Sequence, residues 1–225
     1  LHNQPLPIFR GAGGRTWNIL MNDKRGGACI HLLTNKLDAG AIYSKKTFDF
    51  PSELECPADY DEIVSKNSLE LISNWLTKVI ENNDYGKPEI NDDSLSEYWP
   101  RLNTDIHGWI NWDWSLKDIK LFCAAFSYPH SGAKTLYKGK IFNIHKVEII
   151  KEINKFHPFQ TGLIYKKQDS KLYIAHKDGT LIIKEFCMQN PLIKIGERLY
   201  TPYSKLEDAM TSKIQYTANG EIINI

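Results

Sequence analysis

A change of pattern near Ile106 limits what this chain can fold into. Before it, apolar residues recur at three- and four-residue steps through residues 59–82, which predicts one long amphipathic helix. After it, short β-compatible runs alternate with turn residues, a pattern typical of a small barrel. The 225 residues suit one large domain or two small ones. The pattern therefore favours two parts of different architecture.

The first part is predicted to be a mixed α/β structure. Residues 2–15 hold two prolines and three glycines and predict a loop. A short helix is predicted over residues 16–21, and strands over residues 27–33 and 41–50. The polar, irregular residues 84–105 are the best candidate for a linker.

The second part is predicted to begin with a helix over residues 115–125, with Ser115 as its N-cap. Lys177-Asp178-Gly179 predicts a hairpin turn. The predicted strands span residues 140–147, 161–166, 172–176 and 180–186.

Composition excludes several classes of protein. No run of about 18 apolar residues is present, so we expect no membrane-spanning helix. The four cysteines are far apart, which predicts neither a disulfide framework nor a zinc knuckle and fits a reducing, cytoplasmic setting. Cys29, Cys123 and Cys187 lie in apolar runs, where buried thiols are expected.

Charge is unevenly distributed between the two halves. Residues 1–115 hold 11 Lys and Arg against 17 Asp and Glu, a balance of −6. Residues 116–225 hold 17 against 10, a balance of +7. The basic half could approach an anionic partner such as tRNA or a nucleotide diphosphate. A solvated lysine surface is the alternative, because Arg198 is the only arginine among these 17 cations.

His2 and Asp38 are the candidates for proton-handling chemistry. Each lies among glycines and prolines, so turns could bring the imidazole and the carboxylate together. The alternatives are a solvent-exposed terminal histidine at His2 and an ordinary turn residue at Asp38. The other histidines are scattered without the i, i+4 spacing of a helical zinc motif, so no metal site is predicted.

The order of several short motifs resembles the folate-dependent formyltransferases. These are His2, Leu6-Pro7, Arg10-Gly11 and Asp38-Ala39-Gly40, followed downstream by Gly108-Trp109-Ile110-Asn111-Trp112 and Pro129-His130-Ser131-Gly132-Ala133. Each motif is weak alone, and their order together is fairly specific. The family's Asn, two positions before its His, would precede Leu1 in this chain.

The resemblance implies a fold and a domain division. Residues 1–104 would be the C-terminal half of a Rossmann-like catalytic domain plus a linker, and residues 105–225 a C-terminal OB-like β-barrel. The first strands of the family's catalytic domain have no counterpart, so we expect that sequence upstream is missing and that this chain alone is inactive.

The resemblance also implies a reaction, in which a formyl group passes from N10-formyltetrahydrofolate to an amine. His2 would move a proton and Asp38 would hold the imidazole and stabilise its charged form. Arg10, Gly11 and Gly40 would form the substrate-side loop. Arg10 would either contact a substrate phosphate or carboxylate, or fix the loop.

The acceptor is predicted to be an amino sugar attached to a nucleotide, because the two motifs around Asp38 and Trp109 look closer to the sugar-modifying relatives. The first alternative is methionyl-tRNA, whose acceptor arm the basic C-terminal part would bind. The second is a non-catalytic binding module that keeps a degenerate formyltransferase remnant. The oligomeric state is not predicted.

Overall fold

A computed structural model describes the chain over residues 1–152, 155–189, 192–216 and 222–224. The chain divides into two compact units, one made of Leu1–Asn18 and Asn22–Arg101, the other of Ile19–Met21 and Leu102–Ile225. Among the helices of the described residues, none combines the length and the apolar content needed to cross a membrane.

The first unit combines short strands with one long helix. Its elements are β1 (Phe9–Gly11), α1 (Gly14–Leu20, which runs across the division), β2 (Arg25–His31), β3 (Ile42–Asp49), α2 (Pro57–Asn82) and β4 (Glu97–Trp99). The strands β2 and β3 form an antiparallel pair, and β1 pairs in parallel with β4. The helix α2 packs on β2 and β3 through buried residues that include Tyr60, Val64 and Leu71.

Two predictions for this unit are wrong in part. Residues 2–15 are not all loop, because Phe9 and Gly11 bound a strand that pairs with β4. Residues 84–105 are not a free linker, because they contain β4 and the buried Asn91. Both errors arise because three-residue strands carry no period-2 pattern long enough to recognise.

The second unit is built mainly from strands. Its elements are α3 (Thr104–His107), α4 (Leu116–Ala125), β5 (Ala133–Tyr137), β6 (Lys140–Lys151), β7 (Ile164–Gln168), β8 (Lys171–His176), β9 (Gly179–Cys187), β10 (Leu199–Tyr200), α5 (Tyr203–Thr211), β11 (Ile214–Tyr216) and β12 (Ile222–Asn224). The predicted helix cap is confirmed, since the Ser115 side chain accepts a hydrogen bond from the Asp118 amide. The hairpin turn at residues 177–179 is confirmed by the pairing of β8 with β9.

Six strands form one curled antiparallel sheet in the order β10-β5-β6-β9-β8-β7. An antiparallel bridge between Leu163 and Arg198 joins the segment before β7 to the segment before β10, so the two edges of the sheet meet. Fully buried side chains such as Ile144, Ile174 and Ile183 fill the interior, and α4 packs against β5, β6 and β9.

The four cysteines are free thiols. Cys29 and Cys123 are buried as expected, and burial raises the pKa of both thiols. Cys187 is exposed, contrary to the prediction. It ends β9, where burial alternates along the strand and this position faces solvent.

His176 is a fully buried neutral histidine in the second unit. Its Nε2 lies 3.2 Å from the Trp112 carbonyl oxygen and must donate there, while its Nδ1 accepts from the Asp178 amide at 3.1 Å. Both ring nitrogens are therefore satisfied without a second proton. Burial lowers the pKa of this imidazole, and it lowers the pKa of His31 and His145 as well.

These lowered pKa values predict that acid destabilises the fold. Unfolded histidine takes up a proton near pH 6.5, whereas folded His176 takes it up only at lower pH. The unfolded state then binds more protons, so the free energy of unfolding should fall as the pH drops below about 6.5. Urea unfolding between pH 7.5 and 5.5 checks this, and His176→Gln should lose part of the pH dependence. The same slope of unfolding free energy against pH in the wild type and in His176→Gln would contradict this prediction.

Candidate active site

Main-chain pairing fixes the position of His2. Its amide donates to the Cys29 carbonyl and its carbonyl accepts from the Cys29 amide, both at 2.8 Å. The His2 Nε2 lies 2.8 Å from the Phe9 carbonyl oxygen. Because a carbonyl only accepts, Nε2 carries the hydrogen, and Nδ1 of the neutral ring is left as a bare acceptor.

Asp38 lies in the loop between β2 and β3 with a left-handed backbone, φ +47°. Its Oδ2 accepts a hydrogen bond of 3.0 Å from the Gly11 amide. The residue Gly40 allows this loop to pass close to the end of β2, because a Cβ there would lie 1.9 Å from the Leu32 carbonyl oxygen. Backbone contacts therefore aim the carboxylate, and two of the predicted loop glycines take part.

The structure brings the two predicted catalytic side chains together. Asp38 Oδ1 lies 3.6 Å from His2 Nδ1, and the side chains are 17% and 13% exposed. The arrangement differs from the expected one in a single respect. The nitrogen that is held by a partner is Nε2, and its partner is the Phe9 carbonyl, while Asp38 faces the free nitrogen. Protonation at Nδ1 would place a positive charge directly beside this carboxylate.

His31 is a third member of the site that the sequence analysis did not single out. Its Nε2 lies 3.9 Å from Asp38 Oδ1, and its ring contacts the His2 ring edge-on with centroids 6.0 Å apart. Its Nδ1 lies 3.1 Å from the Leu32 carbonyl oxygen and therefore carries the hydrogen. Burial and the neighbouring His2 lower the pKa of His31, so this ring is neutral at pH 7.

Arg10 fixes the loop rather than standing free for a ligand. Its guanidinium donates to Asp93 at 2.7 Å and to the Asn91 side-chain oxygen at 2.9 Å. The Asn91 amide nitrogen in turn donates to the main-chain carbonyls of Asp38 and Gly40. This chain of contacts connects β1 to the loop that carries the carboxylate.

A groove of about 480 Å³ opens beside His31. Its volume lies within the usual range for small-molecule sites, and its walls are apolar and aromatic. The lining residues besides His31 are Ile30, Leu32, Leu33, Tyr43, Trp75 and Tyr85.

No sequence pattern predicted a role for His31 or Asn91, and the two residues differ in how far a sequence pattern could have indicated them. His31 stands two positions after Cys29, the pairing partner of His2, so strand alternation places it on the same side. That could be recognised only if the pairing of His2 with Cys29 were known. Asn91 lies in a polar segment whose composition is typical of a loop, and no local pattern indicates that this residue is buried.

Comparison with known proteins shows what this chain is similar to. The family model described as "Formyl transferase, C-terminal domain" matches residues 104–192. The methionyl-tRNA formyltransferase of Clostridium tetani is 28% identical over 185 residues, which cover 82% of this chain and 57% of that relative. The chain thus spans little more than half the length of this curated relative.

Solved structures share the fold at lower identity. The N-formyltransferase from Helicobacter canadensis, in complex with folinic acid and dTDP-3-aminofucose, matches with a TM-score of 0.60 and 19% identity, covering 81% of this chain and 63% of that one. HypX from Aquifex aeolicus, in complex with tetrahydrofolic acid, matches with a TM-score of 0.61 and 17% identity, covering 94% and 35%. Together with the matches in sequence, these likenesses show that the chain is similar to the folate-dependent formyltransferases and that residues 104–192 match their C-terminal domain.

Proposed function

We propose that the protein transfers a formyl group from N10-formyltetrahydrofolate to an amine. The observation that carries this proposal is the His2–Asp38 pair, 3.6 Å apart and held by main-chain contacts, in a chain similar to the folate-dependent formyltransferases. The aromatic groove beside His31 supports it, since Tyr43 and Trp75 offer surfaces suited to a flat heteroaromatic ring such as that of a folate.

In this proposal His2 moves the proton of the reaction. The folate supplies the formyl carbon. The bare Nδ1 of His2 takes a proton as the acceptor amine bonds to that carbon, and it returns the proton to the nitrogen that leaves. Asp38 stabilises the imidazolium between these events, because Oδ1 faces the protonated nitrogen. The Phe9 carbonyl keeps the ring oriented throughout by accepting from Nε2.

We propose an amino sugar attached to a nucleotide as the acceptor. One structural neighbour is an N-formyltransferase in complex with dTDP-3-aminofucose, which supports this choice. The lysines of the second unit also favour it over a nucleic acid, because several of them pair with carboxylates. These pairs are Lys138–Glu197, Lys155–Glu152, Lys184–Glu148 and Lys205–Asp208.

Methionyl-tRNA is the second candidate acceptor. Curated relatives matched in sequence, such as that of Clostridium tetani, are methionyl-tRNA formyltransferases. The net charge of +7 over residues 116–225 would favour binding to the negatively charged phosphate backbone of a tRNA.

We further propose residues 1–104 as the C-terminal half of a Rossmann-like catalytic domain and residues 105–225 as an OB-like C-terminal domain. The meeting of the sheet edges at Leu163 and Arg198 supports the second assignment. The free state of the four cysteines supports a cytoplasmic setting.

A transfer assay with N10-formyltetrahydrofolate tests the proposal. The full-length protein is offered a panel of amino-sugar nucleotides and, in parallel, methionyl-tRNA, with release of tetrahydrofolate as the readout. Formylation of a sugar nucleotide alone supports the first acceptor. Formylation of the tRNA, with binding that weakens steeply as salt rises, supports the second. Binding of folate without transfer to any acceptor would favour a non-catalytic module.

A further inference from the structure

The loop that carries Asp38 has few contacts of its own. Among the described residues, main-chain hydrogen bonding between β2 and β3 ends with the Leu32 amide and the Ala41 carbonyl, and none involves residues 33–40. Residues 32–37 are exposed and contribute no buried side chain. A segment with so few contacts moves readily unless another part of the chain fixes it. The direction of the Asp38 carboxylate therefore depends on contacts from outside the loop.

Asn91 supplies such a contact at the end of the loop. The residue is 7% exposed, and its Nδ2 donates to the Asp38 carbonyl at 2.8 Å and to the Gly40 carbonyl at 3.1 Å. Both N–H bonds of the amide are thus used on the main chain of the loop. Asp38 is then held twice, through its main chain by Asn91 and through its carboxylate by the Gly11 amide.

Asn91 is itself held rigidly. Its Oδ1 accepts from the Arg10 guanidinium at 2.9 Å, and its main-chain carbonyl accepts from the same group at 3.3 Å. A guanidinium only donates and a carbonyl only accepts, so these partners determine which end of the amide faces the loop. Two residues earlier, the amide and carbonyl of Glu89 pair with those of Ile42 at the start of β3. The amide is therefore oriented before any substrate binds.

We propose that Asn91 is a positioning residue for formyl transfer, which sets where the Asp38 carboxylate stands against His2. This inference rests on the proposed function. Asp38 Oδ1 lies 3.6 Å from His2 Nδ1, the atom that takes the proton in that reaction. A displacement of about 1 Å between such groups can cost about 100-fold in rate. Asn91 acts through the main chain of the loop, because its donor bonds go to carbonyls and not to the carboxylate.

The variant Asn91→Asp tests this in the full-length protein. It keeps an oxygen for Arg10 and nearly the same size, but it has no N–H to donate to the Asp38 and Gly40 carbonyls. We expect kcat for formyl transfer to fall by about 100-fold, with a much smaller change in KM for the acceptor amine. By NMR, we expect the Gly11 amide hydrogen to exchange with solvent at least about fivefold faster, since its carboxylate acceptor is displaced.

The matched control is Asn18→Asp. Asn18 is 1% exposed and makes the same set of bonds, because its Nδ2 donates to the Asp23 and Arg25 carbonyls and its Oδ1 accepts from the Gln4 side chain. None of these partners belongs to the loop between β2 and β3. The control should lower the melting temperature as Asn91→Asp does, but keep the wild-type kcat and the wild-type exchange rate at the same glycine amide.

Wild-type kcat and wild-type exchange at Gly11 in Asn91→Asp would overturn the proposal, as would equal effects in the two variants. If Asn91→Asp does not fold, Arg10→Lys is the milder test. It loses the two-armed contact that holds Asn91 and should change kcat and exchange in the same direction. No change in either would also refute the proposal. The exchange measurement needs no substrate, so it decides whether Asn91 places the carboxylate even if no acceptor is formylated.

Discussion

Replacement of His2 by alanine is expected to lower kcat/KM for formyl transfer by about 10²- to 10⁴-fold. The variant loses the imidazole whose Nδ1 faces Asp38 at 3.6 Å, so no group in that position can carry the proton. Stability should change little, because the side chain makes one hydrogen bond, to the Phe9 carbonyl, worth about 1 kcal/mol. Steady-state kinetics and thermal unfolding of the same preparation measure both effects.

Two variants serve as references for this prediction. Asp38→Asn keeps an acceptor oxygen for the Gly11 amide but removes the charge beside the imidazolium, so it should also lower turnover. His157→Gln changes an exposed histidine and should keep wild-type kinetics. A large loss of melting temperature in His2→Ala, with kcat/KM nearly unchanged, would assign His2 a structural role.

Replacement of Gly40 by alanine is expected to lower the free energy of unfolding by about 2–3 kcal/mol. A Cβ at this position would lie 1.9 Å from the Leu32 carbonyl oxygen, which is a main-chain atom and cannot rotate away. The loop must move instead, and Asp38 stands two residues earlier in that loop. Turnover should therefore fall as well, by about 10²-fold if the carboxylate shifts by 1 Å.

Gly139 provides the matched control for this substitution. It lies in the turn between β5 and β6 with φ +76°, and nothing lies within 4 Å of the Cβ that alanine would add. Gly139→Ala should cost only the backbone strain, about 1 kcal/mol, and leave turnover unchanged. Urea unfolding and steady-state kinetics of both variants measure the two predicted losses, in the free energy of unfolding and in turnover. A Gly40→Ala protein as stable and as active as Gly139→Ala would show that the loop adapts freely.

Several elements could be predicted from sequence because local patterns determine them. The apolar repeat of residues 59–82 corresponds to α2, which begins two residues earlier, at Pro57. Ser115 caps its helix because the side-chain oxygen satisfies a free amide of the first turn. The turn at residues 177–179 joins two strands whose patterns are visible on either side.

Other features depend on contacts between distant segments, and local patterns do not contain them. The strand β4 exists because β1 pairs with it, and Asn91 is buried because Arg10 and the Asp38 loop surround it. His31 follows His2 by 29 positions and precedes Asp38 by 7, and no local pattern in the sequence marks the three as neighbours. The roles of His2 and Asp38 remain predictions, although the structure brings the two side chains together.

The meeting of the sheet edges at Leu163 and Arg198 has a consequence for how the protein behaves at high concentration. An open sheet exposes a row of unpaired amides and carbonyls to which a strand of another molecule can add. Here the Gly162 carbonyl accepts from the Leu199 amide, and the Glu197 carbonyl accepts from the Ile164 amide, so these groups are already engaged. The six-stranded sheet should therefore resist strand-by-strand aggregation along the edges that meet here.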